Sequence, residues 1–217
     1  MFYRVRDGFT LASLRGPWII EPPNVTNSIY ALFDGAGAVT DLGIFSPLIP
    51  CGYYTVQSTG TVDITFFFND GPGGGQGTFV SGQQIDLVVD GEPMDGAQLF
   101  QVSDPSKCQG HWMGSLDETS GTNNTAVSFD VNASGLISNF AVAGVILEGD
   151  EFVVGRMLSD SGNRVAAFFR SGGTDPYSQV QVSGTLSGNT MTGVFFLDSD
   201  QGEGGPTPDG SVDLQRQ

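Results

Sequence analysis

Lysine and histidine are almost missing from this chain. Lys107 and His111 are single occurrences in 217 residues that carry 24 aspartates and glutamates, and the formal net charge is −16. A field of that sign repels phosphate backbones, so no nucleic acid and no anionic membrane surface is expected as a partner. With one histidine, any Ser-His-Asp or Cys-His relay would have to run through His111, and no serine sits in a nucleophile elbow. One histidine and two distant cysteines do not give the spacing of a zinc site. Cys51 and Cys108 are too few for a disulfide framework. In an oxidising compartment one bond between them would tie the first half to the start of the second; in a reducing one both stay thiols. No apolar run approaches the ~20 residues of a membrane-spanning helix. Residues 1–15 are basic in places but hold no apolar h-region, so no signal peptide is expected in them. No long segment carries a sustained helical period. The acidic balance, the low lysine and the wealth of Gly, Asn, Ser and Thr point to an extracellular or periplasmic protein.

Glycine and phenylalanine are abundant instead, at 32 and 16 residues. The glycine share is well above the usual ~7%. Most glycines fall between runs of alternating apolar and polar residues, which reads as all-β with tight turns. The clearest run is Val180 to Phe195, two strands around Ser187-Gly188-Asn189. A weaker counterpart, Gly77 to Leu87, lies about a hundred residues earlier, so the chain reads as a duplication.

Eight strands are expected in each half: near 14–22, 28–34, 38–45, 52–59, 62–69, 75–82, 83–90 and 96–103, then 110–118, 125–132, 136–145, 150–158, 163–171, 178–187, 189–198 and 210–216. The matching landmarks are Trp18 with Trp112, Phe33-Asp34 with Phe129-Asp130, Tyr54-Thr55-Val56 with Phe152-Val153-Val154, and Phe66-Phe67 with Phe168-Phe169. Residues 1–13 stand outside the repeat as an N-terminal extension or extra strand. The first repeat is 14–104, the linker 105–109 and the second repeat 110–217. Two tandem antiparallel meanders, each a small up-and-down barrel, are expected; one pseudo-symmetric barrel or sandwich is the alternative. Alternation turns Trp112, Leu116, Val127, Phe129, Val131, Phe152, Val154, Val180, Val182, Leu186, Met191, Phe195 and Leu197 inward. Strands 163–171 and 189–198 are apolar on both faces, as is Phe66-Phe67-Phe68, and such strands are covered on both faces. Strands 62–69 and 163–171 are therefore expected to face each other, or a partner in an oligomer.

Both repeats open with Gly-x-Trp: Gly16-Pro17-Trp18 and Gly110-His111-Trp112. That motif, on the first strand of an eight-stranded meander, resembles the lipocalin and avidin superfamily of barrels. The resemblance implies a tryptophan closing one barrel end and a non-catalytic module holding a small apolar ligand. Trp18, Trp112, Tyr54, Phe152 and Phe168 are the aromatics expected near such a ligand, in a barrel mouth or in the groove between barrels. The Thr-Asp-Tyr of many lipocalins is absent, and no biotin-binding residues can be mapped. A structural, self-associating extracellular protein is the competing reading, with aromatic strand faces as its contacts. An enzyme would need converging carboxylates, for which Asp63, Asp86, Asp117-Glu118 and Asp150-Glu151 are the candidates. No cofactor is expected beyond calcium: Asp198-Ser199-Asp200-Gln201-Gly202, with Glu203 and Asp209, supplies oxygens on a sharp turn.

Overall fold

A computed structural model of the chain describes residues 8–23, 28–43, 47–68, 71–88, 96–119, 124–143, 145–146, 154–170, 179–197 and 207–217, with backbone alone at 47–50, 68, 71, 145–146 and 154. The first unit runs β1 (Gly16–Glu21), β2 (Ile29–Phe33), β3 (Ala38–Leu42), β4 (Pro47–Val56), β5 (Thr61–Phe68), β6 (Gly71–Ser81), β7 (Gln84–Val88) and β8 (Gln98–Gln101). Each strand pairs antiparallel with the next, and β8 returns to β1, so the sheet is a closed barrel.

The second unit runs β9 (Gly110–Glu118), β10 (Asn124–Val131), β11 (Ile137–Val142), β12 (Val145–Ile146), β13 (Val154–Ser159), β14 (Arg164–Arg170), β15 (Gln179–Ser187), β16 (Thr190–Leu197) and β17 (Gly210–Arg216). It is a meander whose last strand pairs with its first. The ring stops short of closure between β12 and β13, where one bridge, Leu136 to Arg156, spans the gap. The chain is thus all-β, with one closed and one nearly closed barrel, rather than one pseudo-symmetric barrel.

Hydrogen bonds fix the correspondence between the halves better than residue identity does. Trp18 lies opposite Ala31 and Gln101, and Trp112 opposite Phe129 and Arg216. Tyr54 N donates to Gly37 O at 2.8 Å, and Met157 N to Gly135 O at 2.9 Å. The β4–β5 and β13–β14 turns match from Gln57 N–Thr61 O to Asp160 N–Arg164 O. Counting on from Thr61 and Arg164, Phe66 falls on Phe169. Three landmark pairings are corrected accordingly. Phe33-Asp34 matches Val131-Asn132, Tyr54 matches Met157, and Phe66 matches Phe169 rather than Phe168. The last is a shift of one residue, which in a strand turns a side chain to the opposite face. The hairpin pairing holds: Phe79 N bonds Gly60 O as Leu186 N bonds Asn163 O.

Each barrel encloses one hydrophobic cluster. Trp18, Phe33, Tyr54, Phe66 and Phe79 anchor the first. The second contains Trp112, Leu116, Val127, Phe129, Val131, Val180, Val182, Leu186, Met191, Phe195 and Leu197, as alternation predicts. Phe152 lies outside the described residues, and at Val154 only the backbone is described. Glycines make room in barrel 1: Phe66, Ile64 and Val62 lie opposite Gly73, Gly75 and Gly77 of β6.

A third cluster joins the barrels. Ile19, Tyr30 and Val102 of the first meet Leu158, Ala166, Phe168 and Phe196 of the second, with Leu32 and Val194 at its edge. Strands β14 and β16 are thus covered by the other barrel, as their two-sided apolarity requires. The partner of β14 differs from expectation. It is the β1–β2 face, not strand 62–69: Ile19 and Tyr30 offer large apolar side chains there, whereas the outer face of β5 carries Asp63 and Thr65 beside a single Phe67. No helix of the described residues is long and apolar enough to cross a membrane.

Candidate functional site

Both barrels are closed at one end by the same device. A 3-10 turn, Leu11–Leu14 or Pro105–Cys108, leads into the first strand. The tryptophan indole then donates back to the last carbonyl of that turn: Trp18 Nε1 to Leu14 O at 2.9 Å, Trp112 Nε1 to Cys108 O at 2.7 Å. Both indoles are fully buried. The glycine of each Gly-x-Trp stands at positive φ, 107° for Gly16 and 144° for Gly110, where a Cβ is strained. The covers over the plugs differ. In barrel 2 the Arg216 guanidinium lies 5.5 Å over the Trp112 ring and donates to Lys107 O (2.9 Å), Gly188 O (3.2 Å) and Asn189 Oδ1 (2.8 Å). Barrel 1 has Gln101 at the matching position. Its plug is covered instead by Phe9, stacked on Phe79 at 4.3 Å, with Phe79 edge-on to Trp18. Phe9 and Leu11 of the N-terminal extension both pack against the first barrel's core.

The aromatics expected around a ligand do not converge. Trp18 and Tyr54 lie in the first core, where the Tyr54 hydroxyl donates to Leu11 O at 3.2 Å. Trp112 lies in the second core and Phe168 between the barrels; Phe152 lies outside the described residues. Cys51 and Cys108 are free thiols, each buried in its own barrel's core, so no bond ties the halves. Burial pushes both thiols up, Cys108 to about 12. Of the calcium candidates, Asp198, Asp200 and Glu203 lie outside the described residues. Asp209 accepts Leu197 N at 2.7 Å and so holds the end of β16. Among the described residues no three His, Cys, Asp or Glu side chains gather as metal ligands.

The carboxylates are spoken for singly. Asp63 accepts from Gln76 Nε2 (2.8 Å) and Thr55 Oγ1 (3.3 Å), and Asp86 from Gln98 Nε2 (3.0 Å). Asp117 meets Ser115 Oγ at 3.4 Å, while Asp150 and Glu151 lie outside the described residues. His111 is exposed on β9, with Nδ1 2.7 Å from Asp130 Oδ1. Asn139 Nδ2 donates to the other Asp130 oxygen at 2.6 Å. Asn139 first, then His111, holds the Asp130 carboxyl below its usual range.

The most elaborate polar arrangement rings the contact between the barrels, and sequence reading passed over it. Arg156 Nε pairs with Asp41 at 2.7 Å, and Arg164 Nε with Glu21 at 2.9 Å. Arg164 also reaches the buried Asp160 at 2.5 Å and lies 3.6 Å over the Phe100 ring. Lys107 Nζ donates to Asp160 O. Ser28 N donates to Ser183 Oγ at 2.6 Å, and that hydroxyl donates to Ser28 O at 3.1 Å. Burial raises the Glu21 carboxyl against the lowering effect of Arg164; burial likewise raises the Tyr30 phenol. One local signal pointed here: Ile29-Tyr30-Ala31-Leu32-Phe33 is apolar on both faces. The two ion pairs between the barrels, Arg156–Asp41 and Arg164–Glu21, left none, since their partners are more than a hundred residues apart in the chain. Beside this contact an open groove of about 430 Å³ is bounded by Glu21, Pro22 and Ser28 on one barrel and by Ser183, Thr185, Thr192 and Val194 on the other.

Compared with protein-family models, with curated proteins and with solved structures, the chain has no significant match in any of the three.

Proposed function

We propose that this protein is an exported, non-catalytic binding module of lipocalin- or avidin-like barrels that works through its outer surfaces rather than through a barrel interior. The observation that carries this reading is the filling of the cores. In barrel 2 buried apolar side chains run from Trp112 at the plug to Phe169, Val180 and Leu197 near the opposite rim. In barrel 1 they run from Trp18 to Ile29, Leu42 and Phe66. Phe129, Phe140 and Phe169 pack ring against ring, with centroids 4.9–5.9 Å apart. A small apolar ligand inside either barrel would have to displace such side chains, at a cost of about 1 kcal/mol or more for each disturbed packing position. The ion pairs and the apolar contact between the barrels support a single rigid body that presents fixed surfaces. Its acidity and scarcity of lysine support export.

Native mass spectrometry of protein taken from its source without refolding tests this reading. A bare chain mass is expected. An added mass of a few hundred daltons that is released only on unfolding and then partitions into organic solvent would overturn it in favour of an internal apolar cargo.

Self-association is the second reading, favoured by one outward aromatic pair, an exposed Tyr53 against a half-buried Phe67. Tyr53 on β4 is 54% exposed and meets Phe67 on β5 at 5.7 Å. If this pair is a contact, Tyr53→Ser will shift sedimentation towards monomer; an unchanged profile removes it.

A further inference from the structure

The groove beside the inter-barrel contact differs from every other part of the surface so far described in being lined by hydroxyl groups from both barrels. Its volume, about 430 Å³, lies within the ~300–1,000 Å³ usual for small-molecule sites. We infer that it binds an uncharged polyhydroxylated ligand of mono- or disaccharide size; this rests on the reading that the protein binds through its outer surfaces.

Chemistry excludes the other classes. Anions meet the Glu21 carboxylate with Asp160 close by, in a chain of net charge −16. A metal cation would need several oxygens, yet Glu21 is already paired with Arg164. A purely apolar ligand would strip water from the hydroxyls of the walls without replacing their hydrogen bonds. A sugar satisfies all of them at once. Thr185 and Thr192 lie directly opposite each other on β15 and β16. Both are exposed, and neither hydroxyl has a partner among the described residues. They form a pair that both donates and accepts, which matches vicinal hydroxyls. Glu21 is an acceptor held in place by Arg164, which is itself fixed by Asp160 and Phe100. Pro22 and Val194 supply apolar strips for the C–H face of a pyranose ring. The Ser28–Ser183 hydrogen bonds join the two walls, so the groove is preformed and little order is lost on binding.

The test uses the full chain on a glycan array, followed by calorimetry with the best-retained mono- or disaccharide. Retention of at least one glycan class is expected. The double variant Thr185→Val with Thr192→Val should weaken its Kd about tenfold or more, as two hydrogen-bonding groups are lost. Its melting temperature should stay unchanged, because both side chains are exposed. Binding that survives the double variant, or an array with no retained glycan, overturns the assignment. The native mass measurement separates the two ideas. A bare mass with an empty array sinks only the groove, whereas an internal cargo sinks the surface reading itself.

Discussion

Barrel 1 gives its β1–β2 face to the shared contact, and barrel 2 gives β13–β14 together with Phe196 of β16. Among the described residues the matching faces, β9–β10 on barrel 2 and β4–β5 on barrel 1, contribute nothing to that apolar cluster. Register equates Ile19 with Met113, Tyr30 with Ser128, and Leu32 with Asp130. It equates Leu158 with Thr55, Ala166 with Asp63, and Phe168 with Thr65. Wherever a face is used its residues are apolar, and wherever its counterpart is free they are mostly polar. The contact is head-to-tail, a kind that can propagate into an open array when both faces recur on every unit. Here the fold recurs and the contact does not. On the matching faces polar side chains stand in for most of the apolar ones, with Met113, Tyr53 and Phe67 as apolar remnants.

The largest expected effect breaks the used face. Phe168→Ala should cost about 3–5 kcal/mol in urea unfolding, as for other buried aromatics. Its counterpart Thr65→Ala should stay within about 0.5 kcal/mol. Equal costs would mean that the β14 contact is not what holds the barrels together. A transplant sharpens the comparison from the other side. Ser128→Tyr with Asp130→Leu, combined with Thr55→Leu and Thr65→Phe, should make the chain assemble with rising concentration in sedimentation velocity. A transplant that assembles no further than the parent would shift the cause to the ion pairs Arg156–Asp41 and Arg164–Glu21.

The two plug covers predict a smaller difference. Arg216→Ala removes charge-assisted hydrogen bonds and should cost about 1.5–3 kcal/mol. Gln101→Ala, at the matching place, should cost less than about 1 kcal/mol.

The smallest effect is in acid. The folded Asp130 carboxyl lies below its ordinary value of 3.8, so its contribution is fully present above that value and is lost as pH falls through the lowered one. Asn139→Ala, which removes the main cause, should be less stable than the parent at neutral pH. The two should converge in stronger acid. A gap that stays constant with pH would mean that Asn139 acts through its backbone, at φ 53°, and not through Asp130.

Strand positions were legible because one face of each strand is buried and turn residues punctuate the alternation. Val180 to Phe195 became β15 and β16 with Ser187 opposite Thr190, close to the reading from sequence. Register between the halves was less legible. Paired phenylalanines attract a match by identity, and nothing in Phe66-Phe67 or Phe168-Phe169 tells which ring is inside. Only the count from the turn decides, and it puts Phe66 and Phe169 inward. What covers a two-sided strand was not legible at all. Periodicity gives the number of covered faces, while the partner depends on contacts between residues far apart in the chain. The groove escaped for the same reason: Ser28 and Ser183 are unremarkable hydroxyls until folding brings them together.

The turn Pro105–Cys108 was read as part of a linker, yet its carbonyls receive Trp112 and Arg216. The tether between the barrels is therefore also the stopper of the second, and the matching stopper of the first begins at Leu11. This changes where a heritable module starts. A gene segment that duplicated as a self-sufficient barrel would have carried the turn with it, and a cut placed at the Gly-x-Trp glycine would leave an uncorked shell. Recombination that reused this barrel elsewhere would have to preserve the upstream turn, so its trace is expected four residues or so ahead of the tryptophan, in a segment with almost no fixed identity.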